Sequence, residues 1–475
     1  MPSDADAPTF GTVARGIDAL PGHCLRQVCA ADALRSGGRR DSRPGAQAGA
    51  LERGGRTAAA CGELNHTRRT STFRRLEIMA SLEGLKVVDL SRVLGGPLCA
   101  QILGDHGANV IKVEGPMGDE TRTWGPPFNE AGMASYFAGI NRNKRTVCLD
   151  LALPQGREVL MQLLTEADVL IENFKVGTLE RWGMGYDDVL SLRFPRLIHC
   201  RVTGFGATGP LGGLPGYDAA VQALGGIMSI NGDPDGTATR VGVPIVDVTT
   251  GLSAVIGVLL ALHERERSGK GQSIESALYD NALFSLYPHS INTLFTAKAP
   301  MRSGNGHPNI APYDTYATAT EPIYLAVGNN GQFQRLCEAV DRTELAVDAR
   351  YATNAQRAVH RFELKRDLEA AFSRFEAQSL FERLVAVGVP CGVIHNVVEA
   401  LNHPHTAHRG MVAEIGKFKS VASPVKLSRT PATYREAPQE IGANTVEVLR
   451  EAGLTESQIE KLLEQGVALQ RKRTP

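Results

Sequence analysis

The sequence predicts an α/β protein in which an open, mostly parallel β-sheet is joined to a smaller α+β domain. From residue 82 onward, short apolar runs alternate with segments of helical periodicity, which is typical of a parallel sheet covered by helices on both faces. Near residue 300 this alternation gives way to the glycine- and proline-rich stretch MRSGNGHPNIAP, which is followed by two neighbouring strand-like runs.

The first elements form a β-α-β unit: the strand-like LKVVDLSRVL, the helical PLCAQILGDHGA, and the β-rich NVIKVEGP, closed by Gly-Pro. Parallel neighbours require such a crossover. The elements predicted next are, in chain order, the strand TVCLDL, a helix over 154–166, the strand ADVLIENF, short helices over 178–182 and 186–192, the strand RLIHCRVTGF, a helix over 249–267, and a mixed run over 273–294.

The strand pair YDTYATA and EPIYLAVG predicts the smaller α+β domain, and two late helices, over 445–453 and 455–467, are expected to pack back on the first domain. We therefore expect a large domain with its N-terminal part at 79–295, a small domain at 296–400, and a C-terminal part, 401–475, that returns to the large domain.

The first 78 residues differ in composition from the rest of the chain. They contain twelve Arg, eight acidic residues and no Lys, whereas the remainder has 39 basic and 43 acidic residues. Their polarity, few aromatics and lack of periodicity predict a disordered leader. A second reading is that Met79 is the true start; an organellar transit peptide is disfavoured because such peptides carry few acidic residues.

Overall composition predicts a soluble, cytoplasmic protein that acts on small molecules. The 475 residues include 51 basic and 51 acidic side chains, so no broad positive surface is expected for nucleic acid or for an anionic membrane. The longest apolar run, 252–262, is shorter than the ~20 residues of a membrane span. Eight cysteines without a CxxC pair argue against a disulfide framework and favour a reducing compartment.

Several motifs resemble cofactor or metal sites, but their contexts argue against that function. GFGATG at 204–209 matches the dinucleotide pattern, yet Pro210 and GGLPG follow where a helix would be required. His403, His405 and His408 have no interleaved carboxylate or cysteine, so a helix-entry turn is expected rather than a metal site. No GxSxG nucleophile motif occurs.

Two aspartates beside glycines remain as candidate catalytic groups: Asp218 in GYDAAVQALGG and Asp247 in VGVPIVDVTTG. Asp247 is predicted to end an apolar strand just before a helix that starts near Thr249. On the residues alone, either aspartate is an ordinary helix cap. A carboxylate at that position can also attack a thioester carbonyl, with nearby amides holding the oxyanion.

The ordered motifs from 82 to 467 resemble those of the family III CoA-transferases. They are LSRVLGGPLCAQILGDHGANVIKVEGPMGDETRTWGPPF, INRNKRTVCLDL, ADVLIENFKVGTLERWGMGYDDV, TGFGATGP, GYDAAVQALGG, VDVTTG and GVPCGVI. The family includes formyl-CoA:oxalate and carnitine CoA-transferases and α-methylacyl-CoA racemase. The resemblance implies a Rossmann-like large domain, an interlocked homodimer, a CoA thioester as substrate and no tightly bound cofactor. NGHPNIAPYDTYAT, AVGNNGQF and GDETRTWGPPF are most similar to the succinate–hydroxymethylglutarate CoA-transferases, which act on dicarboxylic acids.

The resemblance also implies roles for individual residues. Asp247 corresponds to the nucleophile and Asp218 to the second acid of the site. The implied coenzyme A groove is lined by Val93, Leu94, Asn173 and Arg181. The implied glycine-rich flap comprises Ser303, Gly304, Asn305, Gly306 and His307, and either Arg302 or Arg240 is a candidate cation for a second substrate carboxylate. Leu94 replaces a glutamine of formyl-CoA transferase, so a less polar acyl pocket is expected.

The expected function is CoA transfer from a donor acyl-CoA, succinyl-CoA by resemblance, to a free dicarboxylic acid through aspartyl anhydride and aspartyl-CoA thioester intermediates. Two alternatives remain open. An α-methylacyl-CoA racemase would have histidine where this chain has Tyr217, whose phenol is a poor proton shuttle at neutral pH. A non-catalytic CoA-binding protein would bind the nucleotide without exchange.

Overall fold

The computed structural model describes residues 80–471, and the predicted leader lies outside them. Its largest feature is a seven-stranded sheet, and its strands as a whole are β1 (Lys86–Asp89), β2 (Asn109–Glu114), β3 (Lys144–Leu149), β4 (Val169–Glu172), β5 (Ile198–Thr203), β6 (Ser273–Ala277), β7 (Tyr313–Tyr316), β8 (Ile323–Ala326), β9 (Cys391–Val393), β10 (Val412–Ile415), β11 (Phe418–Val421) and β12 (Ala468–Leu469).

The large sheet has the strand order β12-β3-β2-β1-β4-β5-β6. All its pairs are parallel except the one between β12 and β3, so the C-terminal segment adds an antiparallel edge strand. The central strands are buried on both faces, as parallel strands covered by crossover helices must be, and this explains their nearly unbroken apolar sequences.

Helices cover the sheet, build the smaller domain and connect the two. Their bounds are α1 (Gly95–Asp105), α2 (Ser135–Gly139), α3 (Pro154–Leu163), α4 (Thr178–Arg181), α5 (Ser191–Arg193), α6 (Asp218–Leu224), α7 (Ile227–Ile230), α8 (Ile245–Ser268), α9 (Leu278–Phe284), α10 (His289–Thr296), α11 (Asn330–Ala339), α12 (Thr343–Val347), α13 (Asn354–Val359), α14 (Arg361–Phe372), α15 (Ala377–Ala386), α16 (Val397–Asn402), α17 (Pro404–His408), α18 (Thr445–Glu451) and α19 (Glu456–Glu464). Short 3₁₀ turns lie at Glu120–Thr123 and Leu164–Glu166, and a π turn lies at Tyr186–Leu190.

The smaller domain is built on an antiparallel sheet of strand order β7-β8-β9. Its core includes Ile323 and Leu325 from β8 together with Leu336, Leu364 and Leu380 from helices α11, α14 and α15, all of them buried. A separate hairpin pairs β10 with β11. The predicted α/β fold class, with a large, mainly parallel sheet and a smaller domain, is therefore confirmed; the boundaries at 295 and 400 stay a prediction.

The predicted start of the long helix is wrong. Helix α8 begins at Ile245 rather than near Thr249, and Asp247 lies in its first turn rather than at the end of a strand. The reason is that the amides of this turn are capped from outside the segment, by the side chain of Asp218, so no local capping residue marks the true start.

Helix α8, at Ile245–Ser268, is also longer than the apolar run 252–262, whose short length predicted that no segment spans a membrane. At 24 residues it is the one helix within 80–471 that is long and apolar enough to cross a membrane, a test that core helices of soluble proteins also pass. One side of α8, including Val246, Ala254 and Val258, is buried in the main core.

Candidate active site

A cavity of about 300 Å³ lies where the strand order of the large sheet reverses. Strand β1 continues to β2 on one side, and the chain later returns to β4 on the other side. Loops that leave neighbouring strands in opposite directions open a crevice at their carboxyl ends, which is where α/β proteins bind ligands. Residues 92–95 after β1, 173–176 after β4 and 202–204 at the end of β5 line the cavity, together with the loop 213–217 and Asp247.

The loop after β1 has an unusual backbone conformation. Val93 has φ +70°, a left-handed conformation that a β-branched residue rarely adopts, and such strain persists only where neighbouring contacts impose it. The side chain of Asn173 supplies one such contact, because it accepts a hydrogen bond from the Arg92 amide (2.9 Å) and donates one to the Arg92 carbonyl (2.8 Å). These two hydrogen bonds connect the loop after β1 to the loop after β4.

Two fully buried ion pairs lie beneath this loop. Lys112 binds Asp119 at 3.1 Å and also donates to the Ser91 carbonyl at 2.8 Å, while Lys144 binds Asp89 at 2.9 Å. Burial alone would raise the pKa of Asp119, but the neighbouring Lys112 and hydrogen bonds from Thr121 hold it below its ordinary value. Lys144 also donates to the Pro97 carbonyl at 2.8 Å, so the two lysines hold the segment that carries Val93 and Leu94 on both sides.

Asp218 and Asp247 are linked through the first turn of α8. One carboxylate oxygen of Asp218 accepts hydrogen bonds from the amides of Val246 (2.8 Å) and Asp247 (3.1 Å). Its other oxygen accepts one from the side chain of Gln222 at 2.6 Å, and Gln222 in turn accepts one from the Val241 amide at 2.8 Å. Asp218 is only 8% exposed, and these donors satisfy both oxygens of its carboxyl group.

The carboxylate of Asp247 has no hydrogen-bond donor among residues 80–471, although it lines the cavity. Burial, and to a lesser extent the negative charge of Asp218, raises the pKa of Asp247 to about 7. The phenol of Tyr136 is influenced by the same two carboxylates. Burial, and then the negative charges of Asp247 and Asp218, raise the pKa of Tyr136 to about 12. The phenol therefore stays protonated and can donate a hydrogen bond. A weakly solvated carboxylate of this kind is a potential nucleophile near neutral pH.

Close helix packing sets the position of Asp247. A Cβ at Gly251 would lie 2.7 Å from the carbonyl oxygen of Gly95, so only glycine at 251 allows α8 to approach the start of α1 this closely. The approach places the first turn of α8 beside the amino end of α1. Helix amino ends favour negative charge, so a developing oxyanion between them would be stabilised.

Of the predicted site residues, the structure brings Val93, Leu94, Asn173 and Asp247 to this cavity, and it places Asp218 behind Asp247. Leu94 is buried, and the less polar acyl pocket expected beside it stays a prediction. Arg181 is exposed in α4, donates to the hydroxyl of Thr178 at 2.8 Å and does not line the cavity described here.

The predicted flap residues lie elsewhere in the described chain. Gly304 donates its amide to the carbonyl of Gly232 at 3.1 Å, and Gly306 and His307 follow it. Arg302 donates to the carbonyls of Asp233 (3.1 Å) and Gly236 (2.6 Å), whereas Arg240 is exposed and donates only to carbonyls next to it in the chain. None of these five residues lines the Asp247 cavity within residues 80–471.

Sequence reasoning missed four residues at or near this site. Arg92 and Lys175 are exposed cations that line the cavity. Arg92 precedes Val93 in the sequence, and Lys175 lies two residues after Asn173. Both could therefore have been predicted from the motifs that contain Val93 and Asn173. Gln222 lies one helical turn after Asp218, which is the spacing of facing side chains on a helix. No local pattern reveals Tyr136, because its approach to Asp247 depends on the tertiary fold.

Comparison with known proteins agrees with the motifs. A model of CoA-transferase family III matches residues 82–445. The chain is 40% identical over 381 residues to succinate–glutarate CoA-transferase of Agrobacterium fabrum, covering 78% of this chain and 95% of that protein. It is 35% identical over 376 residues to human succinyl-CoA:glutarate CoA-transferase, covering 78% and 85%. The crystal structure of a CaiB/BaiF family protein from Brucella suis superposes with a TM-score of 0.71 at 40% identity, covering 78% of this chain and 99% of that one.

Proposed function

Because the chain belongs to CoA-transferase family III, we propose that it moves CoA from succinyl-CoA to a free dicarboxylic acid, with Asp247 as the nucleophile. Relatives named for succinate, glutarate and mesaconate support this substrate class. The observation that carries the proposal is the carboxylate of Asp247, which lines a cavity beside Val93, Leu94 and Asn173 and lacks hydrogen-bond donors in the described chain.

In the first half-reaction, the Asp247 carboxylate attacks the thioester carbonyl of the donor. The C–S bond breaks, which gives an aspartyl-acyl anhydride and a CoA thiolate. The thiolate then attacks the aspartyl carbonyl of the anhydride, forming an aspartyl-CoA thioester and releasing the donor acid as its carboxylate. Charge and atoms balance at each step, and no water is consumed.

In the second half-reaction, the acceptor carboxylate attacks the aspartyl-CoA thioester and expels the thiolate again. The returning thiolate cleaves the new anhydride at the acceptor's acyl carbon, so that acceptor acyl-CoA leaves and the Asp247 carboxylate is restored. Each step replaces a thioester by an anhydride or an anhydride by a thioester, and these bonds are similar in reactivity. The protein therefore contributes mainly by holding the reacting groups together and excluding water.

The neighbouring residues are proposed to position Asp247 and to bind coenzyme A. Asp218 orients the first turn of α8 through the amides of Val246 and Asp247, so it acts as a positioning residue. Arg92 and Lys175 at the cavity are suited to the phosphates of coenzyme A. The chemistry runs on side chains and the CoA thiol, so a tightly bound cofactor is not required.

A homodimer is supported by a large exposed apolar surface on three consecutive helices. Ile256 and Leu260 on α8, Phe284 on α9, and Leu294 and Phe295 on α10 are each more than half exposed. Apolar side chains of this size and number mark interfaces more often than free surfaces. A mass of about twice the chain's 51.0 kDa in light scattering is expected. A monomer at micromolar concentration would contradict the dimer.

The protein is proposed to be cytoplasmic and to need neither nucleic acid nor a membrane. The five cysteines within residues 80–471 are all free thiols, as expected in a reducing compartment. Cell fractionation with antibody detection tests this location directly.

The central experiment follows ¹³C-succinate into succinyl-CoA and glutarate into glutaryl-CoA by mass spectrometry. We expect exchange with the purified protein and its loss, by more than about 10³-fold, in Asp247→Ala, since removing a covalent nucleophile eliminates the pathway. Asp187→Ala, at an exposed aspartate, serves as the matched control and should exchange normally.

Trapping identifies the covalent residue. Hydroxylamine or borohydride added during turnover should modify Asp247 and no other carboxylate. Near-normal exchange by Asp247→Ala, or a tag on another residue, would remove Asp247 from the mechanism. CoA binding without any exchange would instead favour a non-catalytic protein.

A further inference from the structure

The carboxylate of Glu172, at the end of strand β4, is buried and takes no part in the proposed chemistry. It directly precedes the segment 173–176, which lines the Asp247 cavity. Burying a charge is costly unless it is paired and hydrogen-bonded, and apolar residues of similar size often stabilise a protein as well as a buried ion pair does. A buried acid at this strand end therefore needs specific partners.

Three donors meet the two oxygens of this carboxylate. Oε1 of Glu172 accepts hydrogen bonds from Nε of Arg201 at 3.0 Å and from Nε2 of His199 at 3.3 Å, since an ionised carboxylate only accepts. Arg201 lies directly opposite Glu172 on the neighbouring strand β5. Oε2 accepts a hydrogen bond from the backbone amide of Phe174 at 2.8 Å. One oxygen is thus bound to the sheet, and the other holds the loop that follows β4.

The two side-chain donors also have partners of their own. Arg201 donates to the carboxylate of Glu180 at 2.8 Å, and Nδ1 of His199 lies 2.9 Å from the hydroxyl oxygen of Ser273. The amide of Phe174 differs, because it has no acceptor other than Glu172 within residues 80–471. The loop contact is therefore the one that depends on Glu172 alone.

This contact sets the course of the loop at the cavity. Asn173 lies between Glu172 and Phe174, so the hydrogen bond defines the turn that carries Asn173. The side chain of Asn173 in turn binds the amide and the carbonyl of Arg92, at 2.9 and 2.8 Å. Arg92 and Lys175 are the cations that line the cavity, and Lys175 follows Phe174 directly. A single buried acceptor thus influences the placement of both cations.

We propose that Glu172 is a positioning residue that holds the loop after β4 in the conformation that binds coenzyme A. Its hydrogen bond to the Phe174 amide sets the turn at Asn173, and the contact between Asn173 and the backbone of Arg92 then places the loop after β1. The assignment rests on the proposed CoA-transferase function and extends it to a residue that does not contact the substrate.

Three variants separate the loop contact from the rest of the network. Glu172→Ala removes the acceptor and should fold, because both side-chain donors keep a second partner. Should it not fold, Glu172→Gln replaces it: the amide oxygen is expected to face the charged Arg201, and an NH₂ group cannot accept from the loop. Glu172→Asp retains a carboxylate that can accept from the amide two residues on, as Asp89 does from Ser91 at 3.0 Å. Glu180→Gln, at an exposed site, removes a charge from the same network without touching the loop.

Loss of the loop contact should weaken the binding of CoA without slowing the chemical step. In Glu172→Ala, the Kd for CoA in calorimetry and the KM for succinyl-CoA should each rise about tenfold, the effect of losing one hydrogen bond to a charged group. The kcat should stay within about twofold, because Asp218 holds Asp247 independently of this loop. Glu172→Asp and Glu180→Gln should keep all three constants within about twofold.

A truncated substrate shows whether the loop acts on the nucleotide end of coenzyme A. Succinyl-pantetheine lacks the phosphates that Arg92 and Lys175 are proposed to bind, so its kcat/KM should fall by less than about twofold in Glu172→Ala. General damage to the fold would instead lower kcat/KM for succinyl-CoA and for succinyl-pantetheine by the same factor.

The outcomes separate the failure of this assignment from the failure of the proposed function. Unchanged CoA binding in Glu172→Ala, or equal losses for the two thioesters, would overturn the positioning role while leaving CoA transfer intact. A loss of the same size in Glu180→Gln would mean that the network acts only through the fold, which also overturns the role. Weakened CoA binding by Glu172→Ala in a protein that exchanges no CoA would retain the role and reject the function.

Discussion

Replacing Asp247 by asparagine should stabilise the folded protein at alkaline pH while eliminating CoA transfer. In the folded protein, burial and the charge of Asp218 raise the pKa of this carboxyl to about 7, whereas an aspartate in an unfolded chain titrates near pH 3.8. The folded state therefore binds the proton more tightly. Stability from this group is fully present below the unfolded pKa and is lost as the pH rises through about 7.

The magnitude follows from the size of the pKa shift. A difference of about three units corresponds to about 4 kcal/mol of unfolding free energy at a pH where the folded carboxyl is ionised. Because Asp247 lines a cavity open to solvent, screening reduces this amount, and we expect about 2–4 kcal/mol. Asparagine is neutral at every pH, so the variant avoids this cost above pH 7 and differs little from the original protein near pH 4.

Urea unfolding at pH 5, 7 and 8.5 measures the effect. The excess stability of Asp247→Asn should grow across this series, whereas Asp187→Asn, at an exposed site, should show no such trend. A difference that is independent of pH, or an asparagine variant that is less stable at pH 8.5, would mean that the folded protein does not disfavour the Asp247 carboxylate, and the account of its reactivity would be wrong.

Two further changes test the surroundings of Asp247. Asp218→Asn removes the negative charge that contributes to the raised pKa of Asp247, so the acidic limb of the kcat/KM profile against pH should move to lower pH; an unmoved limb would show that Asp218 does not influence this titration. Asp119→Ala leaves the buried Lys112 without its partner and should lower the unfolding free energy by about 3–5 kcal/mol, with a raised KM for acyl-CoA because the Val93 loop loses its support. Unchanged chemical denaturation and KM would refute that role.

Much of the large sheet was predictable because each strand carries its own signal. Strands β1, β4 and β5 are short apolar runs bounded by turn residues, and the helices between them are long enough to form crossovers. The start of α8 was not predictable in this way. Its cap is the side chain of Asp218, 29 residues before Asp247, and a local pattern cannot report a cap that distant.

The candidate site was only partly accessible from the residues themselves. On spacing alone, Asp247 reads as an ordinary helix cap. Its proposed role as nucleophile, like the proposed groove residues Val93, Leu94 and Asn173, comes from the family resemblance. The structure adds that Asn173 fastens two loops through the backbone of Arg92, and it separates the flap residues from the Asp247 cavity. Both findings depend on contacts between segments far apart in sequence, which periodicity does not encode.

The two aspartates that meet at the start of α8 have opposite environments, and this difference fits the proposed role of Asp247 as the nucleophile. Asp218 accepts hydrogen bonds from the amides of Val246 and Asp247 on one carboxylate oxygen and from the side chain of Gln222 on the other. Asp247 is left without donors in the described part of the chain and with a pKa near neutrality. A carboxylate stabilised by three donors is a poor nucleophile, whereas a partly buried one without protein donors is more reactive but costs stability. The cap at Asp218 therefore has two effects: it holds the helix start in place, and its negative charge contributes to the raised pKa of Asp247. Both effects fit the nucleophilic role that we propose for Asp247.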